Sequence, residues 1–347
     1  MNFSLLIINS AILILLLLSL NSFGFVFSNN FLKIKFTNFF DNFIIGIFVL
    51  LFYLEIHIIF FKINFLYTIH LIFILLLAIF FFFKYRKTST NFLIVFIGIL
   101  ITLNSHKFPY YDYIYDHGYY YNGYINWLNN ENIVRGIANF HPSYGYTGNS
   151  FLLGSFFNFY PFHAYGYSFT SSIFFLFYFL FVITELKFQK IFYLKIFLIL
   201  SLYVVSKYIF EEPLNDYSSY KINLILYLYL FYKILDKINK NEKFEINFIL
   251  IVFTLGLLVT LSPFNWLFCF LSSAYLIIIS KLKKNVIILI FLSFFVLLFF
   301  FINLLKSGHL LYPLQIFYID FDFDFKTTYD FLYQIKNFPK NYLPGYS

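Results

Sequence analysis

The sequence predicts an all-α fold: a polytopic bundle of about ten membrane-spanning helices with a long extracytoplasmic loop. Three observations carry that prediction. Of 347 residues, 61% are hydrophobic and only 12% are charged, roughly half the charge of an ordinary soluble domain. A soluble fold of this length could not hide so much apolar surface. The apolar residues come in runs of about 20, the length that crosses a hydrocarbon layer as a helix. Basic residues gather in alternate connections, as membrane orientation requires. These features exclude a soluble enzyme, a disordered chain and a nucleic-acid-binding domain. The net charge of +8 therefore reports on topology.

Backbone polar groups cannot meet lipid unpaired, so each apolar run is read as a helix. The ten spans are 4–26, 43–61, 65–83, 91–104, 165–185, 191–210, 220–235, 246–262, 264–280 and 286–305. The first has no basic residue before it and no small-x-small cleavage site, so it reads as an uncleaved span and not as a signal peptide. The second carries Glu55 and His57, the only closely spaced ionisable residues within a span. Ionisable residues at such depth are functional candidates, and a contact between helices is the other reading. The fourth and seventh spans are short, and Pro263 makes the turn between the eighth and ninth tight. There is no internal repeat and no GxxxG signature, so helix contacts are expected from large side chains and from Ser, Thr and Asn. Residues 1–347 read as one integral membrane domain.

With the N-terminus outside, fifteen of the 24 basic residues fall in inner connections, among them Lys84, Arg86, Lys87, Lys281, Lys283 and Lys284. The inner face then reads as polybasic and otherwise plain, with no Walker loop or dinucleotide fingerprint. Its charges suit topology and attraction to anionic lipid. Cys269 is the only cysteine, so no intramolecular disulfide exists. The loop 105–164, the connection 211–219 and the tail 306–347 lie outside, and they hold ten of the 16 acids and five of the seven His. Lys306 is counted in that outer tail, and His309 is expected to face outward.

The densest chemistry runs from Pro109 to Phe157 in the outer loop. Asp112 and Asp116 are four apart and would share one face of a helix. Two carboxylates so placed can hold a divalent metal, or can raise one pKa and supply a general base. The same spacing suits two solvated loop acids. Residues 119–130 read as a short interfacial helix with Tyr and Trp at headgroup depth. The Tyr cluster fits an aromatic belt or sugar stacking, discounted for the Phe, Tyr, Ile, Asn and Lys bias that an AT-rich genome produces. Gly136, Pro142, Gly145 and Gly148 mark turns. His141 precedes Pro142, which restricts its backbone to extended geometry. Arg135 is the only Lys or Arg between Lys107 and Lys187, and its guanidinium suits a phosphate or a lipid headgroup. Asp216 sits at the mouth of the seventh span, where a helix N-terminus favours an acid. The alternation of Ile319–Phe325 has strand period and puts Asp320, Asp322 and Asp324 on one side, as a cation site or a solvated edge.

The stretch from Tyr115 to Phe157, YDHGYYYNGYINWLNNENIVRGIANFHPSYGYTGNSFLLGSFF, resembles a segment of a family of uncharacterised bacterial polytopic membrane proteins. The matching residues are Tyr115, Asp116, Gly118 and Tyr120, then Ile125 and Trp127, then Gly136, Ile137, Asn139, Phe140 and His141, then Asn149 and Ser150. Tyr121 stands where the pattern has a His. PLNDY around Asp216 and SGHLLYP before Pro313 resemble later signatures. That family looks like the GT-C glycosyltransferases. The resemblance implies a GT-C-like bundle, a polyprenyl-phosphate sugar donor, a glycan acceptor and an essential acid in the outer loop. Asp116 would be that acid, as general base or metal ligand, and Arg135 or His141 would hold the lipid phosphate. Asp112, Tyr120, Asn139, Asp216 and His309 complete the candidate substrate-binding set.

The expected function is lipid-linked sugar transfer in cell-envelope glycan synthesis, at the outer side of the cytoplasmic (inner) membrane. A transporter or flippase of a lipid-linked saccharide is the second reading. It calls for polar or broken helices at mid-membrane and repeated halves, and the sequence has few of the former and none of the latter. A non-catalytic envelope-assembly protein is the third.

Overall fold

The computed structural model describes residues 3–32, 38–85, 98, 122–140, 142–145, 148–157, 169–211, 219–259, 263–280, 286–310 and 312. Among these the chain is helical, with no strand. The first helices are α1 (Phe3–Phe27, continued by a π-helical turn, Ser28–Leu32), α2 (Phe39–Phe60) and α3 (Phe65–Tyr85). Four short helices follow: α4 (Asn122–Asn130), α5 (Ile137–Phe140), α6 (Pro142–Gly145) and α7 (Ser150–Phe156). The last group is α8 (Phe169–Phe188), α9 (Phe192–Glu211), α10 (Ser219–Asn239), α11 (Ile246–Val259), α12 (Pro263–Ser280) and α13 (Val286–Ser307). The long helices coincide closely with the apolar runs. The run 91–104 lies outside the described residues, except for a helical, buried Gly98.

Four stretches are long and apolar enough to cross a membrane: Ser10–Asn30, Phe39–Phe60, Thr170–Phe188 and Leu289–Ser307. Thr68–Phe80, Ile246–Val259 and Asn265–Ile278 are shorter apolar helices. Apolar side chains also cover outward faces of α9 (Phe192, Ile199, Tyr203) and α12 (Leu271, Tyr275, Ile278), all more than half exposed. Continuous apolar faces of this kind suit lipid and not water. The protein is a helical membrane protein.

Helix ends follow local chemistry. The Asn38 side chain caps α2 by accepting from the Phe40 amide at 3.0 Å. Pro263 opens α12 at the position where its missing N–H costs nothing. Gly308, with φ 74°, ends α13 in the left-handed region that favours glycine.

α2 lies at the centre, and nearly every residue from Phe40 to Ile58 is buried, as expected of a helix apolar all round. On one side Phe43 stacks on Phe177 of α8, with centroids 4.5 Å apart. On another Phe48 and Phe52 meet Phe291 and Phe295 of α13 edge-on or tilted. Aromatic pairs prefer such offset and edge geometries. Against α1 the contact is different. A Cβ added to Gly24 would overlap the Asn42 carbonyl, and one added to Gly46 would overlap the Leu20 carbonyl. The two backbones touch, so the expectation of contacts through large side chains and Ser, Thr and Asn holds for α2 against α8 and α13 but needs correcting at this interface. One glycine comes from each helix, so no spacing motif within a single helix records the contact.

The helices place polar groups at both ends of the bundle. At one end Asp41 of α2 accepts from Tyr229 Oη at 2.6 Å and from Lys233 Nζ at 3.0 Å, both on α10. Nearby, Tyr232 donates to Glu185 at 2.9 Å, and Gln189 donates to Tyr232 and to Asp236. Lys240 Nζ sits 2.6 Å from Asp236, whose carboxylate holds the ammonium above its ordinary pKa. This lysine-rich end was expected to be plain. Instead its acids and lysines interlock, because α10 brings Lys233 and Asp236 onto one face and the turn after it returns Lys240 to Asp236.

Candidate functional site

The opposite end of the bundle is covered by a cap segment, residues 122–157, which contains α4 to α7. α4 falls on the stretch expected to form a short interfacial helix, 119–130. Among the described residues, four backbone hydrogen bonds fasten the cap to the long helices and to the connection between α2 and α3. Ile63 donates to the Leu128 carbonyl at 2.8 Å, and Ile133 to Ile58 at 2.9 Å. Gly136 donates to Leu305 at 2.9 Å, and Asn149 to Leu258 at 3.0 Å. Gly136 has φ 68°, so the turn that aims its amide at α13 needs glycine. Within the cap, Ser155 donates to Asn129 at 2.6 Å, and Tyr124 stacks on Tyr144. All seven residues of α7 are buried.

Beneath the cap lies a buried polar cluster. Glu55 of α2 is fully buried, and its Oε1 accepts a hydrogen bond from Asn149 Nδ2 at the start of α7. Lys306 near the end of α13 is also buried, and it lines one cavity with Asn149. Its ammonium lies 5.8 Å from the Tyr124 ring centroid, within cation–π range. Glu55 therefore has an amide donor to offset its burial, as a buried polar group requires. A narrow cavity runs between Tyr124, Leu128, Asn149, Ile302 and Lys306. A second crevice shares Tyr124 and Lys306 and reaches the exposed Asn132.

Glu55 and His57 do not act as a pair. Residues two apart point to different sides of a helix, and His57 instead contacts Tyr53 Oη at 3.3 Å and the Lys62 carbonyl at 3.4 Å. Lys306 belongs to α13 and the buried cluster, not to an outer connection. His309 is buried, not outward-facing, and burial holds its imidazole below the ordinary pKa. Arg135 is exposed in the turn before α5, and Asn139 lies within α5. Asp112, Asp116, Tyr120, His141 and Asp216 lie outside the described residues, as does Ile319–Phe325. Among the described residues, no group of three or more His, Cys, Asp and Glu could hold a metal.

The chain's relatives are defined by nearly its whole length. A family described as "Domain of unknown function (DUF8201)" matches residues 5–344. The chain belongs to the DUF8201 family. No curated protein and no solved structure matches it. Since the DUF8201 match spans both the cap and the long helices, the cluster joining them is internal to the family domain. Sequence reasoning missed Lys306 and Asn303 of this DUF8201 chain as members of the buried end. The available signal was a lysine and an asparagine three apart inside an otherwise apolar run.

Proposed function

We propose that this protein is a GT-C-like glycosyltransferase with about ten spans, set in the cytoplasmic membrane with its cap outside. It transfers a sugar from a polyprenyl-phosphate donor to a glycan acceptor of the cell envelope. The observation that carries the reading is the fastening of the cap over a buried Glu55–Asn149–Lys306 cluster. Loops that carry chemistry are held by a rigid scaffold, and this cap is tied to four different parts of the bundle. Lysines and acids at the far end, with the exposed turn at Asn241, support its placement inside.

In this reading Asp116 takes the proton from the acceptor hydroxyl. The acceptor oxygen bonds to the anomeric carbon, the bond from that carbon to the phosphate oxygen breaks, and polyprenyl phosphate leaves with the electron pair. Arg135 or His141 faces the phosphate, since a planar guanidinium suits its oxygens. Asp112, Tyr120, Asn139, Asp216 and His309 line the sugar, and Asp112 with Asp116 is the pair suited to a divalent cation. The donor's aliphatic tail lies among membrane lipids beside the bundle.

The test is sugar release from polyprenyl donors by purified protein and by Asp116→Asn. Loss of turnover of about 10²-fold or more is expected for a general base, and unchanged turnover removes Asp116 from the mechanism. Movement of a lipid-linked saccharide across proteoliposomes without covalent change would replace the transferase with a flippase.

A further inference from the structure

The bundle end opposite the cap carries a pocket that the proposed reaction does not use. It lies where α2, α10 and α11 meet, and four charged side chains line it: Asp41, Lys233, Lys237 and Glu245. Asp41 is in the first turn of α2, Lys237 is in the last turn of α10, and Glu245 directly precedes α11. Because α2 is long and apolar enough to cross a membrane, its first turn falls at the level of the lipid headgroups. Lys233 and Lys237 are four apart and share a face of α10. Asp41 is engaged on both oxygens, one by Tyr229 and one by Lys233. The other pair is loose. Lys237 Nζ stands 3.5 Å from Glu245 Oε1 and 3.4 Å from the Lys243 carbonyl, well beyond the roughly 2.8 Å of a strong charge-assisted bond. The Glu245 side chain is half-exposed.

We propose that this pocket binds the headgroup of a phospholipid with a primary amine, of the phosphatidylethanolamine class. The phosphate sits between Lys233 and Lys237, and the ammonium turns to Glu245. The inference is independent of the reaction assigned to the chain. Charge complementarity carries it. The lining holds two cations and two carboxylates, and a headgroup with one phosphate and one ammonium leaves that balance unchanged. An anionic head would satisfy the lysines but leave Glu245 facing a phosphate. A lysine ammonium has three donors. Lys233 uses one on Asp41 among the described residues, so a phosphate oxygen can take another. An incoming phosphodiester exchanges the long Lys237–Glu245 contact for two shorter charged ones, and partly exposed ion pairs hold little energy against such exchange. The rest of the lining is apolar. Leu230, Phe248 and Ile249 are buried behind it, and the exposed ring of Phe244 joins them, a surface suited to the glycerol and the first methylenes of an acyl chain. Basic pockets between membrane helices at this depth are known seats of lipid headgroups.

The experiment is native mass spectrometry of the full chain, purified in detergent and offered equal amounts of phosphatidylethanolamine, phosphatidylcholine and phosphatidylglycerol with the same acyl chains. The ethanolamine lipid should be retained several-fold more than the other two, since a trimethylated ammonium donates no hydrogen bond and a glycerol head carries no cation. Lys237→Gln should cut that retention several-fold, and Glu245→Gln should abolish the preference over phosphatidylglycerol. Lys190→Gln should change neither, because this exposed lysine adjoins Gln189 at the same end but lies outside the pocket. Free phosphoethanolamine should not displace the lipid. Equal retention of the three lipids would overturn the proposal, as would a preference for phosphatidylglycerol or phosphatidylcholine. So would a Lys237→Gln variant with unchanged retention, or a Glu245→Gln variant that keeps the ethanolamine preference. Displacement by free phosphoethanolamine would also overturn it, by making the site one for a soluble phosphate. The comparison among lipids is made on the parent chain and decides the proposal even where a variant does not fold.

Discussion

Asn149 donates its side-chain amide to Glu55 across 94 positions of sequence, joining the start of α7 to the central helix. The bond is buried, and the buried Lys306 lines one cavity with the same Asn149. Cap and bundle therefore depend on each other for satisfaction of one carboxylate.

Breaking that bond should loosen the cap. Asn149→Leu is expected to lower stability by about 1–2 kcal/mol, in the range of hydrogen bonds between helices in membranes. Glu55→Leu should cost at least as much, because it leaves the Asn149 amide buried without its acceptor. In a double-mutant cycle by thermal unfolding in detergent, the two changes should add to less than their sum. Full additivity would show that the contact carries no energy.

The backbone contact between α1 and α2 gives a sharper expectation. Gly24→Ala and Gly46→Ala each place a methyl group into a carbonyl oxygen of the facing helix. The helices must separate, at a cost of about 1–3 kcal/mol for overpacking. Melting temperature of each alanine variant checks this, and Gly46→Leu should fail to yield folded protein.

At the lysine-rich end, Asp41 is the acid that Tyr229 and Lys233 share. Lys233→Met alone leaves a buried carboxylate without its cation and should be clearly destabilising. The pair Asp41→Leu with Lys233→Met should recover much of that loss, since an apolar replacement of a buried ion pair is often neutral. Unfolding of the single and double variants, compared at one pH, decides the point.

Acid should weaken the fold through His309. Burial lowers its folded pKa below the ordinary imidazole value of 6.5. The unfolded chain thus takes up the proton first as pH falls, so this contribution is intact above about 6.5 and is lost below it. His309→Gln should flatten the pH dependence of melting between about pH 7 and 5. A variant with the same slope as the parent would rule out His309 as its source.

Sidedness can be read with thiol labels. In a Cys269→Ala background, Asn132→Cys in the exposed turn after α4 and Asn241→Cys in the exposed turn after α10 should react from opposite faces of the membrane. Labelling from the same face would invert half of the topology.

Much of the architecture was legible because membrane spans are written in composition. The apolar runs 65–83, 191–210 and 286–305 foretell α3, α9 and α13 closely. Helix ends set by Asn38 and Asp41 were missed by a few residues, since polar caps sit outside an apolar count. Glu55 stood out as an ionisable residue in a span, but its partners did not. Asn149 and Lys306 are far away in sequence, and pairing them needs the packing of α2, α7 and α13. The Gly24–Gly46 contact was illegible for a related reason, because it is complementary between helices and not periodic within one.

The early position of that glycine contact has a consequence for how the protein is made. Both glycines lie within the first fifty residues, and nothing downstream is required for α1 and α2 to meet. During synthesis this hairpin can close before α8 to α13 have been made, providing a finished post against which later segments are threaded and sorted.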